Sequence, residues 1–359
     1  MSYAADDGLG PPNRPNSDSN AAPGSNTAQG RLAGLLVQVA AVLCGSGMAV
    51  QSRVNGELGT RTGDPTGASL VSFGTGLIVV IVLALALPKG RAGTRRLATS
   101  LRERHLPYSF LLSGVFGAFL VLVQTFTTPL VGVAVFILGV VVGQSLGGLV
   151  VDRIGFGPGG AKPLTGWRIA GTAVIAGAVV LAESPRFGAG QGSATTAGPG
   201  LLVPLALLQV LAGVGVAVQT AMNGRTAQAA DTPITSTLVN FAGGAVGLTV
   251  TAVIYRAAAD LPPWHFPPEW WLYTGGIVGL VFVAAGAVLA RVIGVLRTSL
   301  SLTAGMLSGA LVLDLLAPTA GNLIEPVTVM GTLLTFLGLV LATLPWKVPR
   351  DPGNRPDAP

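Results

Sequence analysis

The sequence predicts an all-α polytopic membrane protein, with ten transmembrane helices arranged as two inverted five-helix repeats. Three observations carry this. The 359 residues are 50% hydrophobic and only 10% charged, with mean hydropathy +0.66, whereas a soluble domain carries about 25% charged residues. The apolar residues fall into ten runs, most of the ~17–25 residues that a bilayer-crossing helix needs. Finally, GSGMAVQSRVNG (Gly45 to Gly56) returns 168 residues later as GVGVAVQTAMNG (Gly213 to Gly224). Internal repetition in a membrane chain suggests two bundles about a pseudo-twofold axis, the plan of many secondary transporters.

In chain order, residues 1–30 are Pro, Asn, Ser, Gly and Ala with almost no large apolar side chain, so they read as a disordered cytoplasmic tail. No basic n-region opens the chain, so the first apolar run reads as a span that stays. The spans are Leu32–Val54, Gly67–Leu87, Tyr108–Phe126, Leu130–Val151 and Ile169–Ala182 for the first half (31–185). A glycine-rich linker, 186–200, follows on the outer side. The second half (201–347) holds Leu201–Met222, Ile234–Tyr255, Trp271–Leu289, Leu296–Leu316 and Val327–Pro345, and 348–359 form a disordered cytoplasmic tail. Pro129 and Pro233 stand just before spans, where a missing N–H costs nothing. Trp270, Trp271, Tyr273 and Trp346 sit at span ends like an interfacial aromatic belt. Apart from 89–106 and the linker, the loops are short.

Orientation follows from basic residues. With the N-terminus inside, the inner segments hold 17 of the 21 Lys and Arg, and the outer ones only Arg53, Arg61, Arg186 and Arg256. Both termini are therefore expected in the cytoplasm. The same distribution accounts for the formal charge of +6 without nucleic acid, because the basic residues lie between apolar runs and not along one solvated face.

The repeat is ungapped from Gly45–Leu77 against Gly213–Ala245, with 12 of 33 positions identical, including Gln51/Gln219, Asn55/Asn223, Pro65/Pro233 and Phe73/Phe241. At an offset of 162 it continues through Gly114/Gly276, Gly117/Gly279, Gly132/Gly294, Gly143/Gly305, Gly147/Gly309 and Asp152/Asp314. Five spans per half is an odd number, so the second half is expected to enter the membrane upside down relative to the first.

The AVQxxxNG motif ending each half's first span, and GQSLGGLVVD (GMLSGALVLD in the second half) ending its fourth, resemble the YdcZ-like branch of the drug/metabolite transporter (DMT) superfamily. In that branch a half often occurs as a separate five-helix protein, and this chain is similar to a fused two-half member over about residues 32–347. The resemblance implies an inner-membrane transporter, an exporter of small molecules, and brings no catalytic or ligand-binding residues with it.

Polar side chains inside apolar spans are the candidate site, because each is expensive in a bilayer unless it has a role. Gln51 and Asn55 are four apart on one helix face, as are Gln219 and Asn223. On the expected topology the first pair joins Asp314 outside, the second joins Asp152 inside, and the two sets are candidate gates or ion-coupling sites. Asn-Gly at a span end is also an ordinary helix C-cap, the reading preferred for Asn55 and Asn223. Gln51 and Gln219 stand open between gating and helix packing. Asp152, beside Arg153, reads as an interfacial ion pair, and Asp314 as the better proton or cation site. Nearer the middle, Gln144, Gln124, Asn240 and Thr303 are candidate substrate-binding residues, with Ser301 beside them. No Lys, Arg or Glu stands at a span centre, which favours a neutral or amphipathic substrate.

Enzyme chemistry is not expected. His105 and His265 lie in loops without a partner at metal-ligand spacing, Cys44 is a single cysteine, GVGVAV lacks the strand–helix context of a dinucleotide loop, and there is no P-loop. The expected function is a secondary transporter of the plasma (inner) membrane, exporting a small metabolite or drug-like molecule by alternating access, with proton coupling left open. It has no cofactor and no metal, and its partners are substrate and lipid bilayer, with a homodimer left open. The competing reading is a membrane scaffold that moves nothing.

Overall fold

The computed structural model describes residues 25–188, 199–261, 263–293, 295–317 and 326–343. Among these it forms eleven α-helices, two short 3-10 turns and no strand. The helices are α1 Ser25–Thr62, α2 Pro65–Ala86, α3 Pro88–Arg102, α4 Ser113–Val131, α5 Val133–Arg153, α6 Gly166–Gly188, α7 Pro199–Ala230, α8 Pro233–Ala259, α9 Gly275–Ile293, α10 Val295–Leu316 and α11 Pro326–Thr343. All but α3 fall on expected spans. Five helical segments, 65–86, 108–131, 133–153, 200–230 and 233–259, are long and apolar enough to cross a membrane, and shorter apolar helical segments lie at 166–182, 275–285, 301–316 and 326–342. The expected C-terminal tail and residues 189–198 of the linker lie outside the described residues. Helix already begins at Ser25, within the segment expected to be a disordered tail.

Three local expectations are corrected. Helices α1 and α7 do not stop at their Asn-Gly pairs but run six residues beyond them, to Thr62 and Ala230. The glycines there serve close packing instead of capping: Gly56 abuts Thr128 and Pro129, Gly59 abuts Thr125, and Gly224 abuts Pro158. Pro129 lies in the last turn of α4, not ahead of the next helix. The turn into α5 is a single residue, Gly132, whose φ of 85° only glycine adopts freely. The 89–106 loop contains α3, which hides Gly90, Gly93 and Leu97 and exposes its basic side chains.

Contacts between the halves come in matched pairs. α1 crosses α10 as α7 crosses α5, α1 meets α9 as α7 meets α4, α2 meets α9 as α8 meets α4, while α2·α8 and α6·α11 join equivalent helices. Glycine makes these crossings. At Gly45 a side chain would strike the Leu302 carbonyl, and at Gly305 that of Val42. The equivalent residues Gly213 and Gly143 meet the carbonyls of Val140 and Val210 in the same way. Gly114 lies on the backbone of Asn240 and Gly276 on that of Ser72, again equivalent positions. With no hydrophobic force to drive helices together in lipid, such small-residue approaches supply the packing.

The first eleven residues of α5, Val133 to Gly143, are all buried, so this helix is the centre of the core. Outside it, large apolar side chains stay exposed, among them Ile78, Val82 and Leu85 on α2 and Val246, Val250 and Val253 on α8. A surface of this kind is suited to lipid.

Candidate functional site

The expected polar residues assemble into two amide clusters. In the first, Asn55 Nδ2 donates to Gln124 Oε1 (2.8 Å), Gln124 Nε2 donates to Ser52 Oγ (2.6 Å), and Ser52 Oγ donates to the Met48 carbonyl (2.8 Å). Gln51, one residue from Ser52, rests its amide against Gly279. Gln51, Ser52, Asn55 and Gln124 are buried. In the second cluster Gln219 Nε2 and Asn223 Nδ2 both donate to Asn240 Oδ1, at 2.6 and 3.3 Å, and Ser236 Oγ donates to the Asn223 carbonyl (2.7 Å). Gln219 rests against Gly117, the equivalent of Gly279. The clusters share the Gln and Asn of the repeat but find their third amide on different helices, Gln124 on α4 and Asn240 on α8.

Helix α4 measures the distance between them. Gly117 touches one cluster and Gln124 belongs to the other, seven residues and so about 10 Å of helix rise. The two clusters therefore lie about two turns apart along α4. Phe73 and Phe241 lie against the same helices, with ring centroids 5.2 Å apart and planes tilted by 43°. Phe73 touches Gly117 and Gly244, and Phe241 covers Gly76. The neighbour of Phe73, Ser72, lies with Asn55 at Gly275, and the neighbour of Phe241 is Asn240 itself. The aromatic pair thus bridges the two clusters. Ser72 Oγ, Asn55 Oδ1 and Asn223 Oδ1 are buried polar atoms with no hydrogen-bond partner among the described residues, which leaves hydrogen-bonding capacity on both sides of the ring pair.

Other candidates lie elsewhere. Gln144 and Thr303 are half-buried on α5 and α10, next to the glycine crossings, and no hydrogen bond among the described residues joins them to either cluster. Asp152 pairs with Arg168 (2.5 Å) and more distantly with Lys162 (3.8 Å), not with its neighbour Arg153. Asp314 is buried and accepts hydrogen bonds from the α5 amides of Val133 (3.2 Å) and Ala134 (2.7 Å). Gly132 has no side chain to cap α5, so a carboxylate from α10 does so. Replacing Asp314 with alanine leaves those amides without their acceptor, at about 1–3 kcal/mol each. Asp314→Asn keeps one oxygen and should lose less, which thermal unfolding of the purified chain in detergent would read.

One polar site was missed by sequence reasoning. Asp64, ahead of α2, accepts from the Thr66 and Gly67 amides (2.9 and 3.3 Å) and from Thr66 Oγ1 (2.6 Å) through one oxygen. Its other oxygen takes Arg256 (2.6 Å) and the Trp264 indole N–H (2.5 Å). The Arg256 guanidinium stands 4.7 Å from the Trp264 ring centroid. Burial alone would push the Asp64 carboxyl up, but the hydrogen bonds from Thr66, Trp264, Arg256 and Gly67 together hold it below its ordinary range. Beside it Arg61 bridges Glu57 and Glu269 (2.8 and 2.6 Å). At the opposite end of the bundle, at the α7–α8 turn, Arg96 of α3 pairs with Asp231 (2.6 Å).

A family described as "Putative inner membrane exporter, YdcZ" matches this chain twice, over residues 36–181 and again over 204–341. The chain belongs to that family. One match covers most of α1 to α6 and the other most of α7 to α11, so each half of this YdcZ-family chain is one unit of the family, in keeping with the motifs at Gly45 and Gly213. The family and the apolar helices make the chain a multi-pass inner-membrane protein of a transporter class, not an enzyme class. No curated protein matches it. Among the described residues no cluster of His, Cys, Asp or Glu is suited to a metal.

Proposed function

We propose that this YdcZ-family chain is a secondary transporter exporting a small, neutral polar molecule by alternating access between two inverted five-helix halves. The observation that carries this reading is the pair of amide clusters at repeat-equivalent positions, with Phe73 and Phe241 between them. An amide offers both donor and acceptor and no net charge, so the lining recognises hydroxyl, carbonyl or amide groups and does not fix an ion. In one state the solute meets Gln51, Asn55 and Gln124, in the other Gln219, Asn223 and Asn240, and rocking of the halves passes it by the aromatic pair.

The matched helix contacts and the glycine crossings support the twofold arrangement. The basic loops support ten spans with both termini in the cytoplasm, which makes the Asp64 end the outer one and the α3 end the inner one. Without a P-loop, the energy is an ion gradient or the substrate's own gradient. In this reading proton coupling runs through Asp314, since protonating its carboxylate would weaken its hold on the α5 amides and free that helix to shift.

Reconstitution into vesicles with a pH-sensitive dye and a panel of metabolites tests this. Gln124→Leu and Asn240→Leu are each expected to lower uptake about tenfold or more with the chain still inserted, in line with ~1.4 kcal/mol per decade. Asp314→Asn is expected to remove the accompanying pH signal. If the wild type moves no solute, the transport reading is to be dropped.

A further inference from the structure

Helix α3 is strongly basic and carries no acid: Lys89, Arg91, Arg95, Arg96 and Arg102 are all exposed within Pro88–Arg102. Its other face is fixed to the bundle, with Gly90 on Ala84 of α2 and Gly93 on Thr232 of the α7–α8 turn and Thr235 of α8. At 100° per residue Arg91, Arg95 and Arg102 fall within about 40° of one another on the outward face, a stripe about 16 Å long. Arg96 is engaged by Asp231, whereas Arg91, Arg95 and Arg102 have no ion pair or hydrogen bond among the described residues. Beside them a shallow groove against Ala229 is lined by Arg95, Arg96, Thr99, Ser100, His105 and Glu103, the Glu103 carboxylate lying 3.3 Å from His105. The Thr99 hydroxyl donates to the Arg95 carbonyl (3.2 Å), so the donors facing outward are the guanidinium groups, the chemistry that holds a phosphodiester.

Position in the fold decides the source of that phosphate. A single residue, Leu87, separates α3 from α2, whose stripe Ile78, Val82 and Leu85 is exposed along its length. A lipid whose chains lie on that stripe brings its headgroup to the level of α3. The equivalent segment of the second half, Asp260 to Thr274, has no Lys or Arg and presents Trp264, Phe266, Trp270 and Trp271. The two faces of the molecule thus differ, one basic and one aromatic.

We infer that α3 is a binding site for anionic phospholipid headgroups, with Arg91, Arg95 and Arg102 as its charged contacts and the Thr99–Ser100 groove seating a phosphate. A basic side chain near an anionic surface is worth about 1 kcal/mol, or about fivefold, so removing three is expected to weaken lipid affinity about a hundredfold. The test is the apparent melting temperature of the full chain in a neutral detergent, titrated with phosphatidylglycerol, phosphatidylcholine or inorganic phosphate. Phosphatidylglycerol alone is expected to raise it, and less so as salt shortens the screening length. The triple variant R91Q/R95Q/R102Q should need about a hundredfold more phosphatidylglycerol for the same rise, and R91K/R95K/R102K should keep most of the response. An equal rise with phosphatidylcholine or with inorganic phosphate overturns the assignment, as does a glutamine variant that responds like wild type. Lipid binding is read without transport, so its outcome is independent of the exporter reading.

Discussion

Replacing Asp64 with alanine is expected to destabilise the purified chain by about 3–5 kcal/mol, the range for removing one partner of a buried, hydrogen-bonded ion pair. The Asp64 side chain is 4% exposed, whereas that of Arg256 is 20% exposed, so solvent screening of Arg256 puts the result toward the lower figure. The substitution removes the carboxylate that neutralises Arg256, the acceptor for the Trp264 indole and the cap on the first amides of α2. Asp64→Asn keeps an oxygen for the amides but loses the charge, and should fall between wild type and alanine. The dependence on pH has a definite sign. The folded carboxyl titrates below its ordinary value of 3.8, so its contribution is fully present above that value and is lost as pH falls through the folded one. Melting temperatures of wild type and Asp64→Asn should therefore differ by a constant amount from pH 5 to 7, as a flat carboxylate contribution requires, and converge only in stronger acid. A gap that already closes near neutral pH would mean that Arg256 does not rely on this carboxylate. In the proposed topology the same cluster ties the α1–α2 turn to the α8–α9 connection at the outer end, so Asp64→Ala should also ease opening there.

Much of the fold was legible because its determinants are local or repeated. Apolar run lengths placed ten of the eleven helices, and the offsets of 168 and 162 picked out the glycines that make the crossings. Helix α3 escaped notice because its sequence is polar, and its buried face is two glycines and a leucine that acquire meaning only against α2 and α8. The extension of α1 and α7 was hidden by Asn-Gly, a sequence that caps helices elsewhere; here Gly56 and Gly59 admit α4 so closely that the helix has packing to continue for. Of the site, Gln51, Asn55, Gln124, Gln219, Asn223 and Asn240 could be named from their cost in a bilayer, but their grouping could not. Gln124 reaches Asn55 across 69 residues of chain. Asp64 was passed over because Asp-Pro is an ordinary helix start, and Arg256 and Trp264 are 192 and 200 residues away. Asp314 read as an ion site because nothing near it in sequence is basic; that it also caps α5 through the Val133 and Ala134 amides is something a sequence does not mark.

Phe73→Ala and Phe241→Ala are each expected to cost about 3–5 kcal/mol, the range for emptying a buried phenylalanine site, plus about 0.5–1.5 kcal/mol for the lost ring pair. Both side chains are 5% exposed, and Gly76, Gly117 and Gly244 leave no side chain that could fill the void. The consequence for transport separates two roles for the pair. If it only holds α2 against α8, both variants lose activity in proportion to the folded fraction, and a leucine at either position restores stability and activity together. If it is the barrier between the amide clusters, as proposed, the alanine variants join the two clusters into one polar path. Vesicles carrying Phe73→Ala should then leak the exported solute down its gradient at a rate insensitive to the proton gradient. Phe73→Leu, which refills most of the volume, should close the leak. The double variant Phe73→Ala/Phe241→Ala should cost less than the sum of the singles, since both remove one contact, but should leak at least as fast as either. A double variant that is folded and tight to solute would show that the barrier lies elsewhere, and would leave the aromatic pair a packing device between equivalent helices.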